Sequence, residues 1–375
     1  MEPNFAAWTD APFAGLTVRE APYTEPRAGQ ILVRNRAVAV NPIDGYKQKL
    51  GKIIYGWVKY PLIGGFDLAG EVVAVGPDVT RLKVGDRVLA HATGLEKVRN
   101  RPAECAFQLY TVVLAYMAAP IPDAMTFAEA AAMPLAVSTA ACGLFEPQHL
   151  GLDRPPDGGG KAADKGETVL VWAGSSSVGS NAIQLAVAAG YRVITTASPR
   201  NFDYVAGLGA AEVYDYRSQG VAARIVRALE GRTVAGALAI GAGSAAACVD
   251  ILGACEGPRR VAIATFPLDI DALPDRPGIG TMMTKMLPAM LRANAGLWVK
   301  AKRKGVATST IWGASLMDTD LGPAIYERFL PGALASGAVV AAPPPLVVGD
   351  GLDALPAAIE RRRAGVSAAK VVVTL

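Results

Sequence analysis

Histidine is scarce in this sequence: 375 residues include two, His91 and His149. Zinc hydrolase chemistry and Ser-His-Asp catalysis both draw on histidine, so neither is expected. Cysteine is sparse as well. The four (Cys105, Cys142, Cys248, Cys255) form no Cys-x-x-Cys pair, which excludes a zinc ribbon and a disulfide scaffold. No signal-peptide pattern opens the sequence, and with unpaired cysteines this points to a reducing, intracellular, cytoplasmic setting. Long unbroken apolar runs are missing too. The stretch from Val112 to Val137 comes nearest, but Pro120, Pro122, Asp123, Glu129 and Pro134 interrupt it, so no bilayer span is expected. Nor does one sign of charge dominate. Thirty-seven Lys and Arg against 33 Asp and Glu leave +4, too balanced for a dedicated nucleic-acid binder.

What is abundant is apolar residue. A chain that is 51% hydrophobic and 19% charged can bury a large core, and its length suits two domains. Forty glycines and 26 prolines spread through apolar runs imply many turns between buried elements, not disorder.

The first 115 residues read as β-rich. Gln30–Arg34, Ala69–Gly76 and Val84–Ala90 are short runs bounded by Gly, Pro, Asn and Asp, and no sustained helical period accompanies them. Near residue 125 the pattern changes. Thr126 followed by Glu129 forms a capping box that starts a helix. The segment from Arg154 to Gly166 is a loop by composition. An apolar strand, Thr168–Ala173, precedes a Gly/Ser turn and a helix over 181–189. Further strands are expected at Arg192–Thr196, Val234–Ile240, Arg260–Ala264 and Val306–Ile311. Strands alternating with helices predict a parallel sheet covered on both faces. The tail, Leu321–Leu375, holds two helical stretches and a last strand at Lys370–Val373.

The turn Ala173-Gly174-Ser175-Ser176-Ser177-Val178-Gly179 carries the chemistry. It leaves a buried strand and opens a helix, the setting that lets backbone and hydroxyls approach a pyrophosphate at a positive helix end. It fits Gly-x-Gly-x-x-Gly except that Ser176 stands at the middle glycine. It is not a P-loop, because Ser180 and Asn181 follow Gly179. It is not Gly-x-Ser-x-Gly, because Val178 takes the last glycine's place. The next strand selects the nucleotide. An NAD site ends that strand with an acid. This chain has Ala197-Ser198-Pro199-Arg200-Asn201, and a hydroxyl beside a guanidinium suits the 2′-phosphate of NADP(H).

Together with Asn41-Pro42-Ile43-Asp44, Gly65–Val72 and Val84-Gly85-Asp86-Arg87-Val88, this turn makes the chain resemble the medium-chain dehydrogenase/reductases. The likeness covers nearly the whole chain. Within that superfamily the run Thr195–Asp203, with Asp215-Tyr216-Arg217, is similar to the zinc-free trans-acting enoyl reductases of fungal polyketide synthases. The resemblance implies an α/β protein in which a Rossmann doubly wound parallel sheet (137–315) is inserted into a GroES-like β-rich domain (1–136 and 316–375). It places NADPH between the two. The implied cofactor contacts are Ile43, Asp44, Tyr46, Ser138, Thr139, Gly174, Ser175, Ser176, Ser177, Val178, Ser198, Arg200, Asn201, Tyr216, Val366 and Ser367, with Tyr216 over the adenine. Zinc members carry Gly-His-Glu where this chain has Gly65-Phe66-Asp67, and a four-cysteine lobe that it lacks, so no metal is expected. The lysine that relatives place two residues after the motif's aspartate is Tyr46 here, and Lys47 comes next.

These features imply metal-free hydride transfer to an activated C=C bond, in which the protein aligns the reactants and stabilises an oxyanion. Tyr46, Lys47 and Tyr55 are the candidate proton donors. The methionine-rich run Met282–Leu291 is a candidate acyl pocket, and Lys300-Ala301-Lys302-Arg303-Lys304 a candidate dock for an acidic acyl-carrier domain. The alternatives are a packed helix and a solvated helix end. A quinone or free enone reductase, and a non-catalytic NADP-binding protein, remain open as functions. A monomer is favoured, with a dimer as the alternative.

Overall fold

The computed structural model describes residues 3–375 except 52, 54 and 275–278; the side chains of Ile279, Met282 and Met283 also lie outside the described part. Those two methionines belong to the expected acyl pocket.

Strands β1 (Asn4–Thr9), β2 (Leu16–Ala21) and β4 (Leu62–Ile63) form a small antiparallel sheet in the order β2-β1-β4. A larger sheet holds β3 (Gln30–Ala39), β5 (Asp67–Val75), β6 (Arg87–His91) and β8 (Ala118–Pro120), with β7 (Tyr110–Leu114) paired to β3. The chain returns to this sheet at its far end. β15 (Pro345–Asp350) and β16 (Lys370–Thr374) pair in parallel, and β16 runs antiparallel to β3 through Val372 opposite Ala39. So the β-rich domain is completed by residues more than 300 positions downstream of its first strands.

Between these two parts lies a six-stranded parallel sheet: β9 (Glu167–Val171), β10 (Arg192–Ala197), β11 (Glu212–Asp215), β12 (Thr233–Ala239), β13 (Arg260–Ile263) and β14 (Ala307–Thr310). The spatial order β11-β10-β9-β12-β13-β14 is that of a Rossmann fold, in which ligands bind beyond the carboxyl ends of the strands where the order reverses. β9 and β12 read as near-continuous apolar runs because helices cover both faces of the sheet.

Three differences from the sequence reading have local causes. A helix, Pro42–Leu50, stands where no helical period was visible; its inward face carries Asp44, Lys47 and Lys49. β15 was missed because it opens at the end of a three-proline run, Pro343-Pro344-Pro345. The helix after the Gly/Ser turn starts at Ser177, not Asn181. Among the described residues, the run long and apolar enough to cross a membrane is Phe127–Phe145, further along than expected, and 72% of its apolar window is buried inside the fold. It comprises two helices, Phe127–Ala131 and Pro134–Phe145, and Pro134 sits in the first turn of the second, where proline starts a helix instead of breaking it.

Candidate functional site

The turn after β9 is shaped by close packing. A side chain at Gly174 would overlap the Thr195 hydroxyl, and one at Gly179 would overlap the Ala173 carbonyl. The serine at the middle position has a different duty. Ser176 Oγ accepts from the Gly179 N–H at 3.1 Å and donates to the Ala173 carbonyl at 2.8 Å, capping the helix Ser177–Ala188. Its own N–H also bonds Ala173, so Ser176 holds the turn and caps the helix. Ser177 and Val178 occupy the first two helical positions, where the backbone N–H groups have no intrahelical acceptor and are free for an anion. Ala173 holds the turn with φ +66°, a left-handed conformation uncommon for alanine and frequent at ligand clamps.

The neighbouring strand end joins this turn through one amide. Asn201 Nδ2 lies 3.2 Å from Ser175 Oγ, 3.3 Å from Ser198 Oγ and 3.1 Å from Ser367 Oγ. It thus gathers hydroxyls from the phosphate turn, the end of β10 and the C-terminal tail. β10 ends at Ala197 with no acid at the position that would meet a ribose. Arg200 is exposed beside it, and Tyr216 follows β11 with the Arg217 guanidinium 5.1 Å from its ring centre. Neither arginine pairs with an acid among the described residues. Val366 and Ser367 sit in the loop before β16, next to the Asn201 knot.

The β-rich domain closes on the opposite side. The helix Pro42–Leu50 is capped by Asn41, whose N–H donates to Asp44 Oδ2 at 2.8 Å. Tyr46 and Lys47 leave this helix on different faces. Tyr46 meets Phe266, beyond β13, edge-on at 5.6 Å, and lies under the Arg362 guanidinium at 5.4 Å. Arg362 in turn forms a two-pronged pair with Asp271, and Lys49 donates to the carbonyls of Asp271 and Leu273. Lys47 is buried; its ammonium lies against Gly64, and burial lowers its pKa although Asp44 opposes the shift. Asp44 is also buried, and burial raises its pKa to about 6. Its carboxyl faces inward, so the expected contact of Asp44 with cofactor is corrected to a helix cap. Ile43 packs on the β-domain core.

Tyr55 belongs to an aromatic wall. Its ring lies 5.4 Å from Trp57, 6.3 Å from Phe66 and 5.6 Å from Trp312. Trp312 follows β14, so it stands at the carboxyl edge of the parallel sheet, where Gly313 is tight against the Thr139 hydroxyl. Glu96, from the loop after β6, accepts the Trp312 indole N–H at 2.8 Å. Sequence reasoning missed Glu96 and Trp312, which are 216 positions apart; no local pattern marks either one.

Known proteins resemble this arrangement. Residues 27–135 match the family described as alcohol dehydrogenase GroES-like domain. The chain is 46% identical to "Dehydrogenase pigH" of Monascus ruber, over 100% of both chains. The chain belongs to the medium-chain dehydrogenase/reductases. It is also 35% identical to "Trans-enoyl reductase himH" of Aspergillus japonicus, over 99% of this chain and 97% of that one. Among solved structures, the CurK enoyl reductase superposes with a TM-score of 0.71 at 20% identity, covering 100% of this chain and 99% of that one, which shows the shared fold. As a member of this superfamily the protein is an oxidoreductase.

Where zinc members carry Gly-His-Glu, the acid of this dehydrogenase/reductase is structural. Asp67 is fully buried. Its Oδ2 accepts from Asn41 Nδ2 and from Lys370 Nζ, each at 2.8 Å, and its Oδ1 accepts from the Leu135 N–H at 2.6 Å. One carboxylate therefore joins the start of two helices and the last strand. Phe66 fills the histidine's place and turns its ring toward Tyr55 and His91. Nearby runs a directed chain of hydrogen bonds. Tyr326 donates to the Pro134 carbonyl at 2.8 Å, so Ser138 donates to Tyr326 at 2.7 Å and His91 Nδ1–H donates to Ser138 at 2.8 Å. This puts a proton on His91 Nδ1, and burial disfavours a second one on the ring, lowering its pKa to about 4. Ser138 is fully buried in this chain, so its expected cofactor contact is corrected; Thr139, one position on, is the half-exposed member of the pair. The methionine-rich segment is helical, and its Met286 is buried against Leu50 and Ile270 rather than lining an open pocket.

Proposed function

We propose that this protein reduces the C=C bond of an α,β-unsaturated acyl group, using NADPH and no metal, and that its substrate is a polyketide or related secondary-metabolite intermediate presented by an acyl-carrier domain. The observation that carries this reading is the juxtaposition at one sheet edge. A hydroxyl-rich nucleotide cradle tied by Asn201 stands on one side, and an aromatic wall of Tyr55, Phe66 and Trp312 stands on the other, with Phe66 where zinc relatives place a histidine ligand. A relative named for trans-enoyl reduction supports the same class. NADPH over NADH is supported by the end of β10, which carries Ser198 and Arg200 and no acid.

A bound nicotinamide supplies the hydride. The protein's residues do the rest. Ser177 and Val178 offer backbone N–H groups to the pyrophosphate, and Arg200 meets the 2′-phosphate as a fixed positive charge. The aromatic wall excludes water from the reacting alkene, which lengthens the reach of every nearby dipole. Charge that develops on the acyl oxygen is met by hydrogen-bond donors of the cleft. Four buried free thiols accord with a reducing compartment.

The test is NADPH consumption with pantetheine thioesters of rising chain length beside quinones and free enones. Turnover on thioesters that improves with length is expected. Turnover on quinones or free enones alone replaces this reading with general ene reduction, and NADPH binding without any turnover replaces it with a binding role. Arg200→Glu is expected to raise the KM for NADPH about 10- to 100-fold, the worth of one charged hydrogen bond, and to leave that for NADH unchanged.

A further inference from the structure

Three hydroxyls surround one buried amide at the end of β10. Asn201 is 8% exposed, whereas Ser175 and Ser198 are half-buried and Ser367 reaches solvent. The serines come from distant parts of the chain. Ser175 follows Gly174 in the turn after β9, Ser198 is the first residue beyond β10, and Ser367 lies in the loop before β16. A short turn sets the amide beneath them. Pro199 starts this turn, and the Asn201 N–H returns to the Ser198 carbonyl at 2.8 Å. Two left-handed alanines flank the cluster, Ala173 at φ +66° and Ala368 at φ +45°. Such backbone is held at a cost and gathers at ligand clamps.

The direction of the hydrogen bonds decides what the hydroxyls can do. The amide meets Ser175, Ser198 and Ser367 at 3.2, 3.3 and 3.1 Å. Those lengths suit N–H donors; a hydroxyl that donates to an oxygen sits closer, at about 2.7–2.8 Å. Asn201 Nδ2 therefore donates, and each serine oxygen accepts. A serine hydroxyl carries one proton besides its lone pairs. Among the described residues, none of the three protons has an acceptor, so all three are left to be donated outward.

Resting on the NADPH reading above, we infer that Asn201 fixes the preference for a ribose 2′-phosphate by turning three serine hydroxyls into donors, without touching the cofactor itself. A phosphate monoester near neutral pH offers strong acceptor oxygens. An NAD site ends this strand with an acid that accepts from the ribose 2′-hydroxyl. Here the polarity is reversed, and a group of donors stands where the acceptor would. Arg200, exposed on the same turn, adds positive charge. Asn201 is thus a positioning residue behind the serines, and Ser367 brings the returning tail of the β-rich domain into the nucleotide site.

The test uses the full chain without cofactor and two isomeric probes, 2′,5′-ADP and 5′-ADP, titrated by calorimetry. Wild type is expected to bind 2′,5′-ADP about a hundredfold more tightly, the order of two bonds to a charged group. Asn201→Asp keeps the shape and reverses the polarity, because a carboxylate only accepts and draws the hydroxyl protons inward. It is expected to erase the preference. Asn201→Gln, which keeps an amide donor, is expected to retain part of it. Ser198→Ala and Ser367→Ala each remove one donor, and each is expected to lower the preference about tenfold. A wild-type preference in Asn201→Asp, or in both serine variants, overturns the inference and leaves the NADPH reading standing. Equal loss of both probes in Asn201→Asp makes Asn201 a structural tie and likewise overturns the inference. Equal binding of the two probes by the wild type overturns the NADPH reading, and this inference with it.

Discussion

Single residues decide whether a phosphate can approach this fold. Gly174 and Gly179 are required because a Cβ on either would overlap a neighbour, the Thr195 hydroxyl in one case and the Ala173 carbonyl in the other. Gly174→Ala is expected to cost about 2 kcal/mol or more, the order of an overpacked core site, and to weaken NADPH binding. Thermal unfolding and a cofactor titration check both, and a variant with native stability would show that the turn can open. Such residues were legible in the sequence, since a strand, a glycine and a helix start follow one another along the chain. Ser176 and Ser138 were not. Both lie within matched motifs, but the direction in which a hydroxyl points depends on which neighbour packs against it. Ser176 turned back to cap its own helix, and Ser138 turned inward to His91 and Tyr326.

At the scale of elements, periodicity carries most of the information, and it fails where buried positions are polar. The helix Pro42–Leu50 has Asp44, Lys47 and Lys49 on buried positions, so its sequence shows no apolar stripe; tertiary packing and the Asn41–Asp44 box hold it. The helix Leu287–Lys304 shows the converse. Leu291 and Trp298 are about 60% exposed, and its basic end divides in two: Lys300 and Lys304 pair with Asp250, whereas Lys302 and Arg303 are exposed, with Lys302 over the Trp298 ring. Only the second pair is available to an acidic carrier domain. Reversing both, Lys302→Glu with Arg303→Glu, is expected to raise the KM for a carrier-bound thioester at least tenfold at low salt, with the KM for the pantetheine thioester unchanged. Steady-state kinetics on the two substrate forms provides the comparison, and an equal effect on both, or none, removes the docking proposal.

For the whole molecule, the buried Asp67 carboxylate ties the two domains to the returning tail through Asn41, Leu135 and Lys370. His91 is neutral there, with a pKa near 4 instead of 6.5. A base with a lowered folded-state pKa binds fewer protons folded than unfolded between those values, so its contribution is intact above pH 6.5 and is lost as pH falls toward 4. The loss amounts to about 3 kcal/mol at most. Asp44, raised to about 6, acts in the opposite sense: its penalty grows as pH rises toward 6. The difference between wild type and His91→Gln therefore isolates the histidine. Denaturant unfolding from pH 7 to 4 is expected to show a smaller decline in His91→Gln, and parallel curves would assign the acid sensitivity elsewhere.

The amino-acid sequence by itself determined the alternation of strands and helices in the middle of the chain, the phosphate turn, and the acid-free end of β10. Each is a short-range matter of sterics, capping and apolar run length, settled within about a dozen residues. Only the tertiary structure decided that Asn201 gathers three serines, that Asp67 meets Lys370, and that Glu96 meets Trp312 from 216 residues away. Those contacts exist because the chain leaves the β-rich domain, builds the parallel sheet, and returns as β16 to pair with β3. Their partners are chosen by which surfaces the closed sheets bring together, and no periodicity along the chain records that choice.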